Sequence, residues 1–266
     1  MKISLQIFWL LLWCWCSKVP VDQTQKITGT SEVTVRRWFE KFRLHMSKEK
    51  LESIRLSDIV QMDEAYRGGK KKGYAIIGAK ESKREPAVNI DKRKRQEKKR
   101  RNMALQVLQK SSVDRTDALR FMHQYVVPES QFNTDGGAIY KGISNWWPVD
   151  HKYEIHKKFE FALTSEIEGL WGNFFTFIRR MYHHVTKEKM EDMAQEFTAR
   201  SVFPEWFQSP EKFLQMSIKQ IAYNPRLPGK PKKKRGVKNF EGQTMIIGLN
   251  NFIPQIQQLV ASVNNN

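Results

Sequence analysis

The hydrophobic positions of the chain fall into several rhythms, each with its own structural meaning. Residues 7–16 are almost continuously apolar, but about ten such residues fall short of the roughly twenty that span a bilayer. Bulky Trp13 and Trp15 stand where a secretory cleavage site wants small side chains, so the run predicts a buried first helix packed on the helices that follow. Residues 22–28 predict a second helix, Gly29 a turn, and Thr30 or Ser31 the cap of a third. In that third helix Val33, Val35, Trp38, Phe39, Phe42 and Met46 form an apolar stripe, while Arg36, Arg37, Lys41 and Arg43 face elsewhere. Two helices about a glycine turn carry a helix-turn-helix signature.

The rhythm then changes to that of strands. Residues 59–66 read as a strand carrying Asp63 near its end, 67–72 as a turn, and 73–79 as the hairpin partner. Residues 80–101 are highly charged and mostly basic, as a solvated loop or the lining of a DNA channel would be. Beyond them, residues 103–113 predict a third strand, 117–126 a helix, 131–135 a fourth strand closed by Gly136 and Gly137, and 152–156 a short fifth strand. A long helix over 165–183 and an amphipathic one over 187–200 follow. Strands first, then helices and strands in alternation, predict an α/β fold with a mixed sheet. Residues 224–236 are a linker rich in Pro, Gly and Lys, and the tail ends in three asparagines.

Charge narrows the class of partner. Lys and Arg number 46 against 28 Asp and Glu among 266 residues, a formal charge of +18, which calls for a polyanion. The basic residues are scattered through globular patterning instead of lining one amphipathic helix, so nucleic acid is the expected partner and a membrane is not. The two cysteines, Cys14 and Cys16, are too close together to staple a fold and too few for a structural zinc site. Nothing in the sequence asks for an oxidising compartment, and the chain is expected with its DNA, in a bacterial cytoplasm or a eukaryotic nucleus, and not secreted.

Three acids stand out by context: Asp63 and Asp135 at strand ends, and Glu168 on the first turn of the long helix. Singly, each has a bland explanation as a turn former, a cap or a partner of the helix dipole. Together they can meet on one sheet and supply the hard oxygen ligands that Mg²⁺ or Mn²⁺ prefers, the arrangement that serves in-line displacement at phosphorus. No Ser-His-Asp or Cys-His arrangement, no Walker-type loop and no dinucleotide fingerprint competes with that reading.

The segments Val60-Gln-Met-Asp-Glu-Ala-Tyr-Arg-Gly-Gly-Lys70, Thr134-Asp-Gly-Gly-Ala-Ile-Tyr140 and Ile167-Glu-Gly-Leu-Trp-Gly172, with Arg179-Arg-Met-Tyr-His-His184, resemble the three motif blocks of Merlin-type transposases and their bacterial insertion-sequence relatives. The likeness runs from about residue 19 to residue 200, in order and in spacing. It implies a ribonuclease H-like mixed sheet flanked by helices, and a DDE transposase that cleaves DNA and joins it by attack of a 3′-hydroxyl, using divalent metal. Its catalytic and metal-binding residues fall on Asp63, Asp135 and Glu168. The implied organisation is a helix-turn-helix region over 1–50, a catalytic domain over 55–203, and a basic linker and tail over 204–266. DNA partners would be transposon ends and target, held by a homo-oligomer.

Glu64 and Glu166 are the competing acids. Strand alternation sends Glu64 to the face opposite Asp63, and Glu166 lies about 200° around the helix from Glu168. Three departures from the resemblance point to a second reading, a catalytically inactive or domesticated DNA-binding protein. Ser165 stands where many relatives carry Asn, and Phe175 where Lys is common, with Arg179 one turn further along. The zinc ribbon with which relatives often begin is missing, which reads as a shortened start. The expected DNA contacts are Arg36, Arg37 and Lys41 on the third helix, Lys70, Lys71 and Lys72 in the hairpin turn, and Arg179 and Arg180 on the long helix. Trp171 is expected to pack its helix on the sheet, and His183 and His184 either to touch DNA or to close a helix end. The basic cluster at 230–236 fits an import signal, a phosphate-binding tail or a plain linker.

Overall fold

The structure, a computed structural model, describes residues 3–68, 73–82, 101–154 and 164–223, with the backbone alone at 154 and 219–223. The chain divides into two units, Met1–Ser217 and Ile218–Asn266, and the packing described here belongs to the first. Four helices lead: α1 (Leu5–Cys16), α2 (Val21–Thr28), α3 (Glu32–Leu44) and α4 (Lys48–Glu52). Strands β1 (Ile59–Arg67), β2 (Tyr74–Glu81) and β3 (Met103–Leu108) follow, then α5 (Arg115–Tyr125), β4 (Gln131–Asp135), β5 (Asp150–Glu154), α6 (Ser165–Tyr182), α7 (Met190–Val202) and α8 (Pro210–Tyr223).

The first helix is buried along one face, while Leu10 and Trp13 stay exposed on the other. Leu11, Leu12, Cys14 and Trp15 are fully enclosed, and the Trp15 ring packs on Phe42, Phe207 and Phe213. Among the described residues no helix is long and apolar enough to cross a membrane. Gly29 turns the chain at φ 63°, and Ser31 caps α3 by accepting the Thr34 N–H.

Two residues of α3 differ from expectation. Val33 is 60% exposed, because a two-residue offset from buried Val35 is about 200° around a helix. Arg43 is drawn inward, donating to the Tyr182 hydroxyl at 3.0 Å and to Glu196 at 3.1 Å. Glu196 is fully buried and also accepts from Tyr182 at 2.6 Å and Arg200 at 2.8 Å. Burial works against its charged form, yet the charges of Arg200 and Arg43 outweigh it and hold the carboxyl below its usual range. Arg200 donates further to the carbonyls of Trp15 and Cys16, so one buried ionic cluster ties α1, α3, α6 and α7 together.

The sheet has the order β3-β2-β1-β4-β5. β1, β2 and β3 are antiparallel neighbours, while β4 runs parallel to β1 and β5 parallel to β4. It is the expected mixed sheet flanked by helices, with β1 at its centre. α6 and α7 lie against β1, β2 and β3. On the other face Phe132 meets the Tyr140 ring, beside α5.

Some boundaries move. The third strand stops at Leu108, well short of residue 113, because Asp114 starts α5 through a reciprocal capping box with Asp117. The fifth strand begins two residues early, at Asp150. Where a linker was expected from residue 204, a short turn (Pro204–Phe207) and α8 bury Trp206, Phe207, Phe213 and Leu214. Residues 83–100 of the expected basic loop, and all from 224 onward, lie outside the described residues.

The start of α6 is fixed from the sheet. Its N-cap position, Thr164, makes no side-chain capping bond. Instead the buried Gln61 side chain of β1 accepts the N–H groups of Glu166 and Ile167, both at 3.0 Å, and donates to Ser82 at 3.2 Å. Gln61 thereby supplies the acceptor that a capping side chain would give these helix-start donors, the Ile167 N–H sharing it with the Thr164 carbonyl at 3.1 Å. Replacing Gln61 by Leu should remove this shared acceptor and lower the unfolding free energy by about 1–3 kcal/mol, measured by urea denaturation; an unchanged midpoint would mean that water caps the helix equally well.

Candidate active site

Parallel pairing of β1 with β4 ends at Gln61 and Asn133. Beyond that point β1 stays with β2 while β4 stays with β5, so the two strands part at their carboxyl ends. Open α/β sheets bind ligands in such crevices. Asp63 and Asp135 flank this one, each two residues past the last pair and so on the face of Gln61, beneath α6. Asp63 is therefore mid-strand in β1, two residues beyond the end of the parallel pairing.

Trp171, one turn after Glu168, donates its indole N–H to Asp63 Oδ2 at 2.9 Å. Gly78 makes the approach possible. It is the cross-strand partner of Asp63, and a Cβ there would stand 2.7 Å from the Trp171 ring and 2.8 Å from Leu105. Trp171 thus packs its helix on the sheet as expected, and it also fixes one oxygen of the first acid. Asp135 Oδ1 accepts the Gly137 N–H at 3.0 Å, and a Cβ on Gly137 would come within 2.8 Å of the same oxygen.

The three acids feel one another. Burial is the main cause lifting the Asp63 carboxyl above the usual carboxylate range; the Trp171 N–H pulls it down, and the charges of Asp135 and Glu168 add to the rise. Glu168 is exposed and Asp135 half-buried. Among the described residues no three His, Cys, Asp or Glu side chains stand as a ready-made metal cage. The donor set is all carboxylate oxygen, and its partly buried, like-charged character suits a hard divalent cation.

The competing acids are occupied. Glu166 pairs with Arg101 and, at 3.5 Å, with Lys80, and lies within reach of the Ser82 hydroxyl. Glu64 is on the opposite face, where the buried Tyr140 hydroxyl donates to it at 2.5 Å. Burial pushes Glu64 up to about 7 against that hydrogen bond, and the charges of Asp63 and Asp135 push the same way.

The expected DNA contacts scatter more widely. Arg36 is half-buried, bound to Glu32 at 2.7 Å and to the Tyr182 carbonyl at 2.9 Å, so it joins α3 to the end of α6. Arg37 is exposed. Lys41 lies 4.4 Å over the Trp38 ring, its pKa lowered by burial and then by the Arg37 charge. Arg179 and Arg180 are exposed on α6, and His183 pairs with Asp22 at 3.4 Å. Lys70, Lys71 and Lys72 lie outside the described residues. Sequence reasoning missed Gln61, Gly78 and Tyr140; the one available signal was a polar Gln inside an apolar strand, in step with Asp63.

A family model described as the ISXO2-like transposase domain matches residues 55–201. No curated protein matches the chain. A chain in the electron cryomicroscopy structure of the simian T-cell lymphotropic virus intasome in complex with PP2A regulatory subunit B56 gamma aligns over 86% of this chain and 79% of that one. The identity is 11% and the TM-score 0.39, a likeness too loose to carry an argument.

The raised Glu64 carboxyl has a consequence for stability. Folded protein keeps this proton in a pH range where the unfolded chain, at the ordinary Glu value of 4.5, has lost it. The contribution is full below that value and fades as pH approaches about 7. Metal-free protein should therefore lose stability between these limits, and Glu64→Gln should flatten part of the fall in urea titrations at stepped pH. Identical slopes in the two proteins would remove Glu64 as the cause.

Proposed function

The chain belongs to the family of ISXO2-like transposase domains, and on that footing we propose that it is a DDE transposase that cleaves DNA and transfers the strand, with Asp63, Asp135 and Glu168 as its catalytic and metal-binding residues. The observation that carries the reading is the placement of Asp63 and Asp135 on one face where β1 and β4 part, under the helix that bears Glu168. The finer likeness to Merlin-type transposases rests on the motif blocks. Transposon ends and target DNA are the proposed partners, gathered by a homo-oligomer.

Mg²⁺ or Mn²⁺ held by these carboxylates would polarise a phosphate oxygen and sharpen a water or 3′-hydroxyl as nucleophile. The side chains do the positioning. Trp171 holds Oδ2 of Asp63, and the Glu64 backbone N–H also reaches this carboxyl. Gly137 holds Oδ1 of Asp135 through its N–H. Glu168, exposed on the first turn of α6, can swing inward without breaking a packed contact. The exposed Arg37, Arg179 and Arg180 supply phosphate contacts, with Lys41 beside them and Arg36 bracing the α3–α6 junction; Lys70, Lys71 and Lys72 complete the proposed set.

The second reading, a DNA-binding protein without catalysis, draws on Ser165 and on Phe175. Metal dependence separates the two. Active protein should nick and join DNA from the ends of its own element only with Mg²⁺ or Mn²⁺, and Asp135→Asn should lower the rate by more than about 100-fold, the scale of losing one electrostatic contact to the reacting group. Undiminished cutting by that variant would overturn the site; binding without cutting under either metal would favour the second reading.

A further inference from the structure

Arg67 ends β1 on the same face as Asp63, four residues further along. Four residues of strand span about 13 Å. Its guanidinium lies 3.7 Å from the centre of the Phe175 ring. Phe175 stacks on Trp171, ring centres 6.3 Å apart at 26°, and Trp171 is the residue that holds Asp63. A continuous line of contacts therefore runs from an exposed cation to the first acid of the site.

The setting of this cation is distinctive. Among the described residues no carboxylate pairs with Arg67, as none pairs with exposed Arg37, Arg179 or Arg180, but of these four only Arg67 lies over an aromatic face. Arg67 is exposed, so its charge is not needed to balance a buried group. An aromatic face beneath a guanidinium fixes its plane and leaves the edge N–H donors pointing away, a rigid fork that matches phosphate oxygens. Strand β1 fixes the Cα end of the side chain as firmly as Phe175 fixes its head.

We propose that Arg67 is a phosphate-binding residue that grips the DNA backbone beside the acid site, at a phosphate neighbouring the one the three acids address, with Phe175 as the platform that holds it. The proposal rests on the reading of the chain as a DNA-acting enzyme, and it adds a positional claim: one backbone phosphate is fixed from β1 itself, at a set distance from Asp63.

The test is binding of a fluorescently labelled blunt duplex, followed by anisotropy across a salt series in the presence of a chelator, so that no metal or catalysis enters. Arg67→Ala should weaken binding and reduce the slope of log affinity against log salt by about one. Arg67→Lys should recover the slope but not the full affinity, since the charge returns without the planar fork. Phe175→Leu should weaken binding in the same direction with the charge intact. Arg120→Ala removes an equal charge from exposed α5 and should leave the slope at its starting value. Wild-type affinity and slope in Arg67→Ala, or an equal change in Arg120→Ala, would overturn the proposal while leaving the Asp135→Asn experiment to judge the catalytic reading on its own. No binding by the unaltered protein would overturn both.

Discussion

Two hydrogen bonds to one amide oxygen decide where α6 begins, and the position of the candidate site depends on that helix start. Gln61 reaches from the central strand to the N–H groups of Glu166 and Ile167, so the helix register is set against β1 two residues before Asp63. Glu168 then falls on the first turn and Trp171 one turn later, where its N–H meets Asp63 across the space that Gly78 leaves open. A helix start shifted by one residue would rotate Glu168 by about 100° and carry Trp171 off its partner. The strand and the helix are thus locked at two points, one polar and buried, the other aromatic and charged.

Within that frame the electrostatics leave a deliberate imbalance. Glu196 and Glu166 show how this chain treats an acid it means to neutralise: the first sits between Arg43 and Arg200, the second beside Arg101 and Lys80. Asp63 receives only neutral N–H donors, from Trp171 and the Glu64 backbone, and its carboxyl is lifted by burial and by the charges of Asp135 and Glu168. Such a site favours whatever brings positive charge into the crevice. The cations on hand, Arg67 over Phe175 and Arg179 and Arg180 along α6, lie on exposed surface, as side chains facing a polyanionic partner would.

Much of the fold could be read from periodicity and turn chemistry, because those signals are local. Gly29 with Ser31 marked the α2–α3 turn, Gly136 and Gly137 the end of β4, and the alternating run around Asp63 the first strand. Asp135 and Glu168 were legible for the same reason, each standing at an element boundary, whereas Asp63, expected near a strand end, lies mid-strand because β1 runs on to Arg67. What stayed hidden depends on partners far away in sequence. Gln61 is satisfied by residues 105 and 106 positions later, and Gly78 matters only once hairpin register places it beside Asp63 under the Trp171 ring. Arg43 looked like one more basic residue of an amphipathic helix until the fold placed Glu196 beside it. α8 was read as linker because the basic, proline-rich stretch that follows masked the apolar spacing of Trp206, Phe207, Phe213 and Leu214.

The central claim is that Asp63, Asp135 and Glu168 bind one divalent metal centre at the parting of β1 and β4. Anomalous diffraction from crystals grown with Mn²⁺ tests it most directly. The account predicts a manganese peak in contact with oxygens of all three side chains, at about 2.0–2.2 Å as for small hard cations. Manganese bound only elsewhere, or a peak touching Glu64 or Glu166 in place of Glu168, would contradict it.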